Sequence, residues 1–206
     1  LLAPGDVVRV ELPPYIGATS ASRAARARLE GIRLTEDGPD LDHLRFRHRE
    51  ITSAGGIVKF LYLVPNFQNP SGITHGAGSR TALLALAREL DLLVVEDDPY
   101  GDVYFEAPPP PTLKSMDAEE GVLYLSSFSK ILAPGLRTAF LLGPDEILAK
   151  VEIAKQSANL CGSGVDQRMV LGCLRDGLIE AQKARIRPYY RDKCRTMLDA
   201  LAAEMP

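Results

Sequence analysis

Cysteine is scarce in this sequence. Cys161, Cys173 and Cys194 are odd in number and widely spaced, so there is no disulfide framework and no metal-binding spacing, and a reduced, cytoplasmic setting is expected. Charge of one sign is also lacking. The formal net charge is −3 and the basic residues are scattered, which leaves no electrostatic footprint for nucleic acid. No apolar run approaches the roughly 20 residues of a membrane helix. Leu1-Leu2-Ala3 lacks the basic start and apolar core of a secretory signal. The chain opens without methionine and stops at Glu204-Met205-Pro206 directly after a helical pattern, so both ends read as cut.

What is present is an ordinary globular composition, 46% hydrophobic and 25% charged over 206 residues, enough for a substantial core in one domain or slightly more. Val7 to Leu12 is a β-branched run closed by Pro13-Pro14 and reads as a strand. Residues 18–28 read as a helix, 28–34 as a short strand, 36–40 as a turn, and Leu41 opens a short helix. Lys59 to Pro65 and Leu92 to Asp97 are strong buried strands, separated by a helix over 76–90 with apolar residues at helical spacing. The segment 106–121, with Pro108 to Pro111, reads as an exposed loop. Strands at 121–126 and 138–142 follow. Residues 145–160 and 165–204 are helical, the latter with a break expected near Pro188. Strands that are apolar throughout and alternate with helices predict an α/β fold, a mostly parallel sheet sandwiched by helices. Ligands of such sheets sit at the carboxyl ends of the strands.

Three chemically suggestive stretches fall at such ends. Ser126-Ser127-Phe128-Ser129-Lys130 follows strand 121–126, with Arg137 seven residues after the lysine. A lysine at the end of a buried strand can lose its proton by desolvation and act as an amine nucleophile. Hydroxyls and an arginine fork suit a phosphate. An amine beside a phosphate site is what a pyridoxal phosphate Schiff base requires, although a Ser-x-Ser-Lys turn alone is common and more often ordinary loop chemistry. Pro65-Asn66-Phe67-Gln68-Asn69-Pro70-Ser71-Gly72 follows strand 59–65. It is either a plain turn or a source of a strand-end amide for a ring oxygen. Glu96-Asp97-Asp98-Pro99-Tyr100 follows strand 92–97. It is a solvated turn or helix cap, or it offers Asp97 to a protonated pyridine nitrogen with Tyr100 near the adjacent hydroxyl. A metal site is the rival reading, but no His or Cys lies nearby. The three stretches succeed one another at the spacing of a strand–helix unit, which is more specific than any one of them.

Asn69-Pro70-Ser71-Gly72, Asp97-Asp98-Pro99-Tyr100 and Ser127-Phe128-Ser129-Lys130 with Pro134-Gly135-Leu136-Arg137 together resemble the class I/II aminotransferases of the fold-type I pyridoxal phosphate-dependent family. The similarity is to the 2-aminoadipate and aromatic aminotransferase branch, and also to the aminotransferase-like domains of MocR-type regulators. It runs from Pro4 to the carboxyl end, so residues 1–206 are expected to be most of a pyridoxal phosphate-binding large domain. The resemblance implies that Lys130 forms the Schiff base and then shuttles the substrate proton. It implies that Asp97 binds the pyridine nitrogen, that Tyr100 and Asn69 bind the ring hydroxyl oxygen, and that Ser127, Ser129 and Arg137 hold the phosphate. Tyr15 matches the aromatic that stacks on the ring, and is equally an ordinary half-buried tyrosine.

The family's glycine-rich phosphate loop and its small domain with a carboxylate-binding arginine have no counterpart here. The 206-residue chain is therefore expected to bind the cofactor weakly and not to turn over. The resemblance implies transamination between an amino acid and a 2-oxo acid by a longer parent, a homodimer. A cofactor-sensing domain of a transcription regulator, with its DNA-binding part upstream of Leu1, and a β-eliminating lyase share the same cofactor residues.

Overall fold

The computed structural model describes residues 2–205. The chain forms two compact units. One comprises the residues through Asp98 with Pro110–Ser126 and Phe140–Leu160; the other comprises Pro99–Pro109, Ser127–Ala139 and the residues from Cys161 onward.

The first unit is built on strands β1 (Val7–Leu12), β2 (Arg28–Thr35), β3 (Gly38–Pro39), β4 (Val58–Leu63), β5 (Val94–Asp97), β6 (Val122–Ser127) and β7 (Ala139–Leu142), whose order in the sheet is β3-β2-β1-β4-β5-β6-β7. β1 pairs in parallel with β2 and β4, β4 with β5, and β5 with β6, while β2 and β3 are antiparallel. The mostly parallel sheet expected from continuous apolar strands is present. Helices α1 (Ile16–Ala24), α2 (Leu41–Ser53) and α3 (Ala77–Glu89) connect the strands. Asp40 caps α2 by accepting from the His43 amide at 2.9 Å, an N-terminal signal visible in the sequence. Leu83, Leu86 and Ala87 of α3 bury one helical face in a core with Ile32, Leu44, Leu61, Leu63, Leu92, Val94, Leu113 and Val122.

The segment 106–121 is not simply an exposed loop. Leu113–Met116 forms the short helix α4, and Leu113 is fully buried. The proline run marks irregular backbone, but the signal that encloses the helix comes from elsewhere in the chain. Glu96, at the end of β5, accepts from the Leu113 and Lys114 amides at 2.8 Å each. It thereby satisfies two of the donors that a helix start leaves open.

Helix α5 (Asp145–Asn159) closes the first unit; the second contains α6 (Gly164–Arg175) and α7 (Leu178–Glu204). The break expected near Pro188 falls instead at Gly177, whose φ of 70° suits glycine. Pro188 lies inside α7. It removes one helical hydrogen bond, but the helix continues through it. Ile179 and Ile186 are buried with Ile131 against Val103, Phe128, Leu132 and Cys173. Arg187 donates to the Asp102 carbonyl at 3.0 Å, and its guanidinium lies 3.9 Å from the Tyr104 ring centroid. Lys183 pairs with Asp102 at 2.8 Å.

Candidate active site

The stretches after β4, β5 and β6 occupy the carboxyl ends of three neighbouring parallel strands. The register sets Leu63 beside Glu96, and Asp97 beside Leu125. Continuous apolar runs place these strands in the interior of the sheet, so the polar residues that follow β4 and end β5, through Asp98, emerge at one rim of the first unit.

At that rim Asp97 is half-buried and Asp98 buried. The Tyr62 hydroxyl of β4 donates to Asp97 Oδ2 in a short hydrogen bond. Burial raises the Asp97 pKa, donation from Tyr62 opposes this, and the neighbouring Asp98 charge adds to the rise. Burial also pushes the Tyr62 phenol well above its ordinary range, and the Asp97 charge reinforces that shift. Tyr62 is therefore a neutral donor at any working pH.

Asp98 faces a different set. Its Oδ1 accepts from Asn66 Nδ2 at 2.9 Å and its Oδ2 from the Tyr124 hydroxyl at 3.0 Å. Burial and Asp98 raise the Tyr124 pKa. Asn66 Oδ1 in turn accepts from Arg80 Nη2 at 2.6 Å. Arg80 is fully buried and also donates to the carbonyls of His75, Pro65 and Pro111 at 3.0, 3.2 and 3.1 Å. Desolvation lowers its pKa, against the pull of Glu96 and Asp98. Glu96 is raised to about 7 by burial, opposed by the two amides it accepts from. Asp97 and Asp98 are adjacent in sequence, yet they point into separate networks.

Asn69 and Tyr15 are both exposed. The loop bearing Asn69 is shaped by Gln68, which is buried, donates to the Pro13 carbonyl at 2.8 Å and accepts from the Ser71 amide at 2.8 Å. Gly17 leaves room for the Tyr15 ring: a Cβ there would stand 2.6 Å from ring atom Cε1.

The second unit carries Tyr100, Ser127, Ser129, Lys130 and Arg137. The Lys130 ammonium lies 5.9 Å from the Tyr100 ring centroid, a cation–π approach. Ser127 Oγ accepts from the Ser129 amide at 3.3 Å, which orders the turn. Arg137 is exposed, has a left-handed φ of 47°, and donates to the Pro134 carbonyl at 3.2 Å. Lys130 is exposed. The turn sends Phe128 and Ile131 into the apolar cluster with Ile179 and Ile186, and Lys130 between them faces outward.

Tyr62, Asn66, Gln68, Arg80 and Tyr124 were not singled out by the sequence reading. Asn66 and Gln68 lie within the Pro65–Gly72 stretch, where two further amides beside Asn69 were a local signal. Tyr62, Arg80 and Tyr124 carried none, since a tyrosine in an apolar strand and an arginine on a helix are ordinary. Among the described residues there is no group of three or more His, Cys, Asp or Glu that could hold a metal ion, and no helix is long and apolar enough to cross a membrane.

Residues 1–205 match the family model described as aminotransferase class I and II. Over 205 residues the chain is 40% identical to the 2-aminoadipate transaminase of Thermus thermophilus, covering 98% of this chain and 50% of that protein. The kynurenine aminotransferase of Pyrococcus horikoshii, solved in complex with PMP, matches with a TM-score of 0.95 at 40% identity, over 100% of this chain and 51% of that one. An HTH-type transcriptional regulator of Bacillus subtilis, YisV, is 30% identical over 193 residues, covering 94% of this chain and 39% of the regulator. The chain thus spans about half the length of the two aminotransferases. With the family match extending from residue 1 to residue 205, the chain belongs to the class I and II aminotransferases.

Proposed function

We propose that this chain is the cofactor-binding large domain of a pyridoxal phosphate-dependent aminotransferase that moves an amino group between an amino acid and a 2-oxo acid. The observation that supports the reading is that the segments bearing Asn69 and Asp97 follow or end β4 and β5, neighbouring strands of one parallel sheet, at their carboxyl ends. Pyridoxal phosphate, when bound, supplies an aldehyde for covalent capture and a ring that withdraws electrons from the substrate.

The chain's own residues divide the remaining work. Lys130 contributes the amine that captures the aldehyde. It would also be the group that moves the proton at the substrate α-carbon. Asp97 holds the proton on the ring nitrogen. Asn69 and Tyr100 would hold the ring hydroxyl oxygen, and Tyr15 would cover the ring. Ser127, Ser129 and Arg137 grip the phosphate with charge-assisted hydrogen bonds. The parent acts as a homodimer in this reading.

Borohydride reduction of the parent protein loaded with pyridoxal phosphate, followed by peptide mapping, is expected to put the label on Lys130. Label on Lys59, Lys114 or Lys155 instead refutes the assignment. A second reading, a cofactor-sensing domain of a regulator, is favoured by the similarity to YisV. Amino-acid-dependent conversion of the cofactor to its amine form over many turnovers with a 2-oxo acid supports the enzyme. Binding without turnover supports the regulator.

A further inference from the structure

The hydrogen bond between Tyr62 and Asp97 follows from strand register. Tyr62 of β4 stands beside Val95 of β5. Side chains two residues apart share a face of a strand, so Asp97 lies diagonally ahead of Tyr62 on the same face, within reach of a long aromatic side chain. Tyr62 is buried and Asp97 half-buried. The phenol donates to Oδ2, and among the described residues Oδ1 accepts no hydrogen bond. The other charged or titratable groups bearing on the pair are Asp98, next to Asp97 on the chain, and Tyr15 and Glu11, which act on Tyr62.

We propose that Tyr62 is a positioning residue for Asp97: by donating to Oδ2 it holds the carboxylate in one orientation and in its charged form, leaving Oδ1 for the ring nitrogen. The proposal rests on the reading of Asp97 as the ring-nitrogen partner. The physical need is specific. A carboxylate at this rim is desolvated and sits beside a second acid, and both effects favour its neutral form. A neutral Asp97 would not hold the ring nitrogen protonated. A donor to the charged form offsets both effects. A tyrosine serves where a lysine or arginine would over-neutralise the site, because it brings a hydrogen bond and no charge of its own. Asp98, with its separate partners Asn66 and Tyr124, is left out of this exchange.

The test uses Tyr62→Phe, which keeps the ring and removes only the hydroxyl, beside Asp97→Asn, in the parent protein. Infrared titration of the cofactor-free protein, with Asp97→Asn as the difference reference, follows the Asp97 carboxyl. Its midpoint is expected to rise in Tyr62→Phe by about one pH unit, the tenfold equivalent of one lost hydrogen bond to a charged group. Titration with pyridoxal phosphate is expected to show roughly tenfold weaker binding at neutral pH. That deficit shrinks as rising pH restores the carboxylate. In Asp97→Asn the loss is larger and does not recover with pH.

A Tyr62→Phe protein with an unmoved carboxyl midpoint and wild-type affinity at every pH overturns the positioning role alone, provided Asp97→Asn is impaired. Wild-type affinity in Asp97→Asn overturns the ring-nitrogen assignment, and the proposal with it. A purely structural role for the phenol would lower thermal stability without moving either pH profile, and that outcome also overturns the proposal.

Discussion

Glu96 is a carboxylate whose titration is coupled to folding, and Glu96→Gln isolates that coupling. The side chain is fully buried and accepts from the Leu113 and Lys114 amides at 2.8 Å each. Burial nevertheless dominates, and its pKa rises from 4.5 to about 7. A raised carboxyl pKa means that the folded state binds the proton more tightly than the unfolded chain. The resulting stabilisation is fully present below the unfolded value near 4.5. It is lost as pH rises through about 7. A shift of that size corresponds to about 3 kcal/mol at most. Glutamine keeps one acceptor for the α4 amides and cannot titrate. Urea unfolding of the wild type and Glu96→Gln at intervals between pH 4.5 and 8.5 reads the effect directly. Wild-type stability is expected to fall relative to the variant across this window, by an amount on the order of 3 kcal/mol. Exchange of the Leu113 and Lys114 amides should quicken in the variant at all pH values. Parallel stability curves for the two proteins, or a difference that grows in the opposite direction, would refute the reasoning.

Arg80→Met should destabilise the protein by about 3–5 kcal/mol, because it strips three buried acceptors and one part-buried acceptor of their shared donor; a loss below about 1 kcal/mol in chemical denaturation would show that water replaces the guanidinium. Arg137 adopts a left-handed conformation at φ 47°, so Arg137→Gly should leave cofactor-free stability unchanged or raise it by up to about 1 kcal/mol. The same variant should weaken pyridoxal phosphate binding about tenfold or more through loss of the phosphate contact. A less stable variant, or one that binds as the wild type does, would count against that role.

Local pattern determined much of this protein. The β-branched run at 7–12 and the apolar runs at 59–65 and 92–97 became β1, β4 and β5 because strands covered on both faces favour β-branched and apolar residues on both sides. Their alternation with helices determined a parallel order, and parallel order brings strand carboxyl ends to one rim. For that reason the stretches bearing Asn69, Asp97 and Lys130 each follow a strand's carboxyl end in the sequence. Tertiary structure alone decided what surrounds them. Asp97 and Asp98 are chemically identical in sequence, and only strand register directs one to Tyr62 and the other to Asn66 and Tyr124. Glu96 became the cap of a helix that begins 17 residues later, a pairing with no periodicity to reveal it. Around Lys130, Phe128 and Ile131 pack in the apolar cluster while the lysine is exposed. At Gly177 and Pro188 the helix-breaking preference of proline lost to the contacts that α7 makes along its length. Propensity acts on single residues, whereas burial, register and hydrogen-bond partnership are properties of distant segments brought together, and a linear pattern records only the first.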